Sequence, residues 1–448
     1  MKHFTLKQIA ASCGGKYVGD ENLINTAVSS IERDSRNIKE NSLFLAIKGA
    51  RVDGHDFIEK CYNDGAICAL CEKAPKNASK PYILVDDTLK AVKKIAKAYR
   101  ELFDIPIVGI SGSVGKTSTK EMVASVLAQK YKVHKTQGNL NNELGVPLTL
   151  FGMDDSTEVA VIEMGISGFG EMQRISEMVQ PTIEVITIIG ECHLENLGDR
   201  DGVFKAKTEM FNNLKDGGAV ILNGDDDKLS AVKEVKGKAP IFYGINSGEY
   251  RAENIKNNGV LGVDADLVFS GKRLSVTIPA IGAYMVANAL AAAAVGVELE
   301  LSDDEIKAGI SAYKTVGSRA NLIDTGKIKI IDDCYNANPT SVKASIDTLM
   351  NFDGRKVAIL GDMKELGENE RALHYEVGQY AKKCDSVISA GPLALDIAEG
   401  SNGIYLRNKE ELIDNLPILI QEGDVVLVKA SHSMEFEKIT EELKKLWT

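Results

Sequence analysis

Two hydrophobic periods alternate along most of this chain. Short apolar runs end in a glycine or a polar residue, and stretches with apolar positions three and four apart follow them. In the middle third the runs lie at 107–110, 159–162, 185–189 and 219–222; in the last third they lie at 328–331, 357–360, 387–388 and 425–428. Strands that alternate with helices predict parallel, doubly wound sheets, because a parallel pair needs a crossover and a helix supplies it. Such sheets bind ligands beyond the carboxyl ends of their strands. The residues just past those ends are Ser111, Glu163, Gly190 and Asn223, then Asp332, Gly361, Ala390 and Lys429.

Two changes of texture divide the chain. A Lys-rich stretch at 89–102 places Val92, Ile95, Ala96 and Tyr99 at helical spacing, and Asp104-Ile105-Pro106 then reads as a linker into a strand. Near 313–319 an Ala-rich helical pattern gives way to a new strand. At roughly 150 residues per domain, the 448 residues make three domains: 1–103, a smaller N-terminal α/β domain; 104–315, a central doubly wound, mostly parallel sheet; and 316–448, a C-terminal Rossmann-like domain. No repeat of 20 to 50 residues is visible. The most apolar stretch, 285–297, contains Asn288 and Gly296 and falls short of the ~20 residues that span a bilayer.

Composition narrows the choice. With 44% apolar and 26% charged residues the chain reads as an ordinary soluble globular protein. Its 53 basic and 64 acidic residues leave a net charge of −11, which argues against a general nucleic-acid or anionic-membrane binder, since counterion release needs clustered cations. A local basic pocket for a small anion stays open. The N-terminus shows no secretory leader pattern. Seven scattered cysteines suit reduced thiols in a cytoplasm better than a disulfide framework. Cys68 and Cys71 form a CxxC, but without a second pair or a nearby His they read as two buried thiols on one element.

The strongest chemical signal follows the first central strand. The run at 107–110 enters Ser111-Gly112-Ser113-Val114-Gly115-Lys116-Thr117, and a helical pattern continues through Met122, Val123, Val126 and Leu127. Backbone N–H groups at a helix start can cradle phosphates, Lys116 adds a point charge, and Thr117 can hold Mg²⁺. The strict GxxxxGK[ST] spacing fails, because Ile110 stands where the first glycine belongs. Such a loop signals a nucleoside triphosphate without telling a switch from a kinase or a ligase.

The segment GISGSVGKTSTKEM (109–122) resembles the nucleotide loop of the ATP-dependent Mur ligases. Further matches follow in order: DSR at 34–36, LFLAIKG, RVDGHDF, TQGNLNNELGVP (136–147), VIEMG (161–165) and IGECHLENLG (189–198). DDCYNANPTS (332–341) and LGDMKELGE (360–368) resemble the branch of the family that joins D-alanyl-D-alanine to a UDP-N-acetylmuramoyl-tripeptide. The resemblance implies ATP and Mg²⁺ as cofactors, those two substrates as partners, a monomer and a cytoplasmic location. It implies an acyl phosphate, formed when the tripeptide carboxylate attacks ATP and displaced by the dipeptide amine. Two anions must meet, so positioning and charge neutralisation carry the catalysis.

The resemblance also assigns residues. Gly112, Ser113, Val114, Gly115, Lys116, Thr117 and Ser118 would hold the phosphates. Thr117 and Glu163 would bind the metal that bridges them, and His193 a second one; read alone, a His between Cys192 and Leu194 is a packed core residue. Lys207 aligns with the family's carbamylated lysine, with Lys205 an in-register competitor. An ordinary lysine would spend about 4.6 kcal/mol to lose its proton at pH 7. Asn288 would contact adenine, although Tyr284 and Met285 replace the His and Asn that usually precede it. Arg319 would reach the phosphates from the last domain and Asp333 the ribose, with Asp332 the alternative if the register slips by one. Asn139, Asn142, Asn336 and Asn338 would lie near substrate, though NANP is also a good turn. Ser35, Arg36 and Lys48 would meet the UDP moiety, with Arg51 and His55 as further cations; the alternative for Asp34 is to order the turn.

Ala430 and His432 stand where the family pattern has Gly and Arg, which removes one cationic contact to a substrate carboxylate. Two other readings remain open: a folylpolyglutamate synthase-like amide ligase, and a regulatory protein that uses ATP as a switch. The three-domain plan further predicts that the last domain closes before chemistry.

Overall fold

The computed structural model describes residues 1–49, 51–76 and 78–448. Each apolar run is a buried strand, and the parallel sheets form as expected. In the N-terminal part, Lys16–Val18, Tyr82–Leu84, Cys68–Cys71, Leu43–Leu45 and Ile31–Glu32 form one sheet in that spatial order, parallel except for the first pair. The CxxC lies in one fully buried strand, where burial pushes the Cys71 thiol up to about 11 and the Cys68 thiol higher still. Both thiols are therefore held in the protonated form at neutral pH.

The central sheet is parallel throughout, in the order Ile241–Tyr243, Ala219–Asn223, Ile183–Ile186, Ile107–Ser111, Val159–Glu163, Val133–Lys135. Strand order reverses about Ile107–Ser111, where a crevice opens at the carboxyl ends. The third of these strands ends at Ile186, so the run expected at 185–189 starts earlier and Gly190 lies four residues beyond it, in a loop. The last sheet runs Asn321–Asp324, Lys329–Asp332, Asp424–Lys429, Arg355–Gly361, Ser386–Ala390, Ile404–Leu406, parallel after its first pair.

One element was not expected. Arg251–Asn257, Val263–Phe269 and Lys272–Ile278 form an antiparallel sheet beside the Ala-rich helix Tyr284–Glu298. Its middle strand alternates buried and half-buried residues, with Asp264 and Asp266 on the wet face. An alternating strand carries no continuous apolar run, so the rule that found the parallel strands passes over it.

The cores are divided unequally. One apolar cluster runs from Phe4 and Tyr99 of the N-terminal part through Phe103, Phe151 and Met153 to Leu222, joining the first two parts. Most of the last part packs into two clusters of its own, and the larger takes in Ile281 and touches Tyr284 at the border. No helix among the described residues is long and apolar enough to cross a membrane.

Candidate active site

A cavity of about 430 Å³ opens at the carboxyl ends of the central strands. The phosphate loop forms its floor. The loop leaves Ile107–Ser111, turns at Gly112 (φ +145) and Gly115 (φ +85), and starts the helix Lys116–Leu127. A Cβ on Gly112 would lie 1.9 Å from Thr187 Oγ1, so only glycine fits. The loop is tied to the neighbouring crossover: Thr187 Oγ1 donates to the Val114 carbonyl at 2.5 Å, and Ser113 N donates to the Ile188 carbonyl at 2.8 Å. Lys116 folds back over the loop, its Nζ donating to the Gly112 carbonyl at 2.8 Å.

Beside the lysine, Thr117 Oγ1 donates to Glu163 Oε2 at 2.8 Å, while Asn141 Nδ2 donates to Glu163 Oε1 at 2.8 Å. The side chain is buried at the tip of its strand, and the two neutral donors satisfy one oxygen each. Asn288 lines the wall with its Oδ1 accepting from Thr119 Oγ1 at 2.9 Å.

The opposite wall comes from the last sheet. Asp333 Oδ2 accepts from Lys429 Nζ at 2.5 Å and Ser345 Oγ at 2.6 Å, and its Oδ1 accepts from Ala320 N at 3.0 Å. Asp332 points away, 2.8 Å from Cys334 Sγ, so Asp333 and not Asp332 lines the cavity. The Arg319 guanidinium carbon sits 3.8 Å from the centre of the Tyr335 ring, and His432 stacks on that ring at 5.5 Å.

Lys207 lies outside the cavity lining, 1% exposed and forming no ion pair among the described residues. Burial pushes its amine down to about 8, with the Lys116 cation acting in the same direction against Cys192. Deprotonation at pH 7 then costs about 1.4 kcal/mol, against about 4.6 for an ordinary lysine. His193 lines the cavity at φ +53, its Nδ1 2.6 Å from Glu365 Oε2.

Three family profiles match this chain: "Mur ligase family, catalytic domain" over residues 27–100, "Mur ligase middle domain" over 110–296, and "Mur ligase, glutamate ligase domain" over 318–432. The UDP-N-acetylmuramoyl-tripeptide--D-alanyl-D-alanine ligase of Bacillus subtilis is 36% identical, with 98% of both chains covered. The chain belongs to the Mur ligase family. Among solved structures, MurF from Acinetobacter baumannii superposes with a TM-score of 0.91 at 29% identity, over 99% of each chain. MurF ligase from Thermotoga maritima in complex with ADP gives 0.84 at 30% identity, over 93% of this chain and 97% of that one.

The Mur ligase fold gathers most of the expected residues. Ser113 to Ser118, Asn142, Glu163, His193, Asn288, Arg319, Asp333, Asn336 and Asn338 all line the one cavity. Gly112 and Lys207 lie outside its lining, and Asn139 is exposed on the neighbouring loop. Ser35, Arg36 and Lys48 belong to the N-terminal part and do not reach it. Arg36 is exposed and gives its guanidinium to Asp34, while His55 pairs with Asp53 at 2.6 Å, so aspartates already occupy two of the four expected cations. Asn142 and Asn338 also do local work: Asn142 orders the turn before its helix by accepting from Gly145 N at 2.8 Å, and Asn338 caps the helix Pro339–Leu349 by accepting from Ser341 N at 2.8 Å. His432 reaches the cavity only through Tyr335.

Sequence reasoning assigned no role to Asn141, Tyr335, Glu365 and Lys429. Lys429 stood at a predicted strand end, and Asn141, Tyr335 and Glu365 lay within the quoted segments; what was missing was the partner across space.

Proposed function

We propose that this Mur ligase joins D-alanyl-D-alanine to the terminal carboxylate of a UDP-N-acetylmuramoyl-tripeptide at the expense of ATP, in peptidoglycan precursor synthesis in the cytoplasm. The carboxylate oxygen bonds to the γ-phosphorus as ADP leaves; the dipeptide amine then bonds to the acyl carbon as phosphate leaves and the amine sheds a proton. The observation that carries this reading is the shared cavity, in which the phosphate loop faces Arg319 and Asp333 from the last sheet. A triphosphate on Lys116 and the N-terminus of Lys116–Leu127 would have its far side met by Arg319. Asp333 would accept from a ribose hydroxyl, and Asn288 would contact the base. Asn336 and Asn338 border the space left for the second substrate.

The donor set fits Mg²⁺. Thr117 and Glu163 already place two oxygens 2.8 Å apart, both buried. No group of three or more His, Cys, Asp or Glu stands ready for a metal among the described residues, which suits an ion that keeps waters and phosphates as its other ligands. When bound, Mg²⁺ offsets the charge between β- and γ-phosphates. His193, with Lys207 as a carbamate, would hold a second ion; Lys207 qualifies because it is buried, unpaired and poised to lose its proton. Its carbamate would form as the free amine adds to CO₂ and releases a proton.

The N-terminal part would take the UDP moiety, through Ser35, Lys48 and Arg36 once Arg36 leaves Asp34. The domain limits 1–103, 104–315 and 316–448 are read with it, supported by matched spans that fall one inside each. A monomer completes the reading. ADP release measured with UDP-muramoyl-tripeptide, with and without D-alanyl-D-alanine, tests it: turnover requires both substrates. ATP hydrolysis with neither would overturn ligation in favour of a switch.

A further inference from the structure

The run 360–368 lies outside the cavity wall, yet its backbone is tightly fixed. Asp362, fully buried, accepts from Leu393 N at 3.0 Å and Ala394 N at 2.9 Å, and pairs with Lys364 Nζ at 2.7 Å. Met363 N donates to His374 Nε2 at 2.8 Å, and Lys364 N to Ser431 Oγ at 2.9 Å. These bonds hold Glu365 at φ +64, a left-handed conformation that costs a non-glycine residue on the order of 1 kcal/mol. The strained residue is aimed across the boundary. Its carbonyl accepts from Glu195 N at 3.3 Å, and its Oε2 lies 2.6 Å from His193 Nδ1. Gly367 packs just as closely: a Cβ there would lie 3.3 Å from the Glu195 backbone.

His193 is itself left-handed, at φ +53. Two such residues, on loops from different sheets, thus meet at one contact, and strain of this kind persists where surrounding structure enforces it. The approach of Oε2 is close but bent, so the buried Nδ1 has no well-aligned acceptor. A small rotation of the Glu365 side chain, which is 53% exposed and free to move, would straighten it.

We propose that Glu365 is a positioning residue for His193: its carboxylate takes the Nδ1–H and turns Nε2 toward the cavity as a metal ligand. A carboxylate behind a ligating imidazole fixes its orientation and tautomer and strengthens it as a donor. Here the two groups belong to different sheets, so the second metal position is complete only while the last domain is seated. The inference rests on the reading of His193 as a metal ligand given above.

Mn²⁺ titration of the full-length protein with saturating ADP, followed by electron paramagnetic resonance, tests it. Two ions per chain are expected. Glu365→Ala should weaken the second ion by 10- to 100-fold and leave the first unchanged. Glu365→Gln keeps an acceptor oxygen without its charge and should fall between. The half-saturating Mg²⁺ for turnover should rise in the same order. If both variants bind two ions as the parent does, Glu365 is only a strut and the proposal fails. If the parent binds two ions and His193→Ala still does, the assignment of His193 fails with it.

Discussion

Glu184 offers a test of the energetics that needs no substrate. It lies in the strand Ile183–Ile186, is fully buried, and neither carboxyl oxygen has a hydrogen-bond partner among the described residues. Burial raises its pKa from 4.5 to about 8, against a weak pull from Lys236, so the carboxyl is mostly neutral at pH 7. The sign follows from linkage. Below pH 4.5 both folded and unfolded chains hold the proton and no penalty arises. Between 4.5 and 8 only the unfolded chain releases it, so stability is lost with rising pH at about 1.4 kcal/mol per unit. Above 8 the loss levels off, at about 5 kcal/mol in total. Glu184→Gln cannot ionise, although its buried amide brings unsatisfied donors that cost about 1–3 kcal/mol. The variant should therefore be the less stable protein at pH 5 and the more stable one at pH 9. Urea unfolding followed by far-ultraviolet circular dichroism measures the difference, and the first transition is the relevant one, because the N-terminal and central parts share a core. A stability difference that stays flat from pH 5 to pH 9 would refute a neutral buried carboxyl.

Other predictions concern the cavity. Gly112→Ala drives a Cβ to 1.9 Å from Thr187 Oγ1; ADP affinity should fall at least 100-fold by calorimetry, and unchanged affinity would contradict the loop geometry. Tyr335→Ala removes the ring beneath Arg319; a cation–π contact worth about 1 kcal/mol predicts a roughly fivefold rise in KM for ATP. Lys207→Ala should lose at least 100-fold in kcat and recover in part with short carboxylates; full activity without them would sink the carbamate. The radius of gyration from small-angle scattering should shrink with an ATP analogue and UDP-muramoyl-tripeptide, and no change would count against closure.

The parts of this fold that could be read from the sequence share a property: their signal is local. Buried parallel strands are continuous apolar runs, and the phosphate loop is one contiguous strand, turn and helix start. The sheet built from Arg251–Asn257, Val263–Phe269 and Lys272–Ile278 escaped because half its positions face water. Asp332 and Asp333 could not be told apart until the strand's alternation put one beside Cys334 and the other beside Lys429. Glu365 and Asn141 were in view as letters, but each contacts a residue from another segment, and no spacing rule links Glu365 to His193 or Asn141 to Glu163.

The cores also say which part can move. The N-terminal helix Thr88–Arg100 packs its apolar face against the central part, and Arg100 donates to the Val179 and Gln180 carbonyls at 2.9 and 3.3 Å. Separating those two parts would expose a shared core. The last part meets the central one through the apolar contact at Ile281 and Tyr284 and through polar contacts near the cavity, such as Thr340 Oγ1 to Glu191 Oε2 at 3.1 Å and Glu195 N to the Glu365 carbonyl. The polar contacts exchange for water at little cost and the apolar contact is far smaller than the core shared by the first two parts, so motion should be concentrated at that boundary, which the cavity straddles.

Charge gives that boundary its purpose. Lys116, Arg319 and Lys429 are the lysines and arginines lining the cavity, and Glu163, Glu171 and Asp333 are its carboxylates. With His193 neutral these cancel, and Lys429 is already committed to Asp333 at 2.5 Å. A triphosphate and a second carboxylate cannot be brought together in a cavity of zero net charge inside a protein of net charge −11 without cations from solution. Thr117 and Glu163 offer one such ion its oxygens; a carbamate on Lys207 would trade a buried positive charge for a ligand to a second. Two divalent ions would supply the missing positive charge, and Glu365, reaching His193 from the last domain, would complete the second position as the substrates are enclosed.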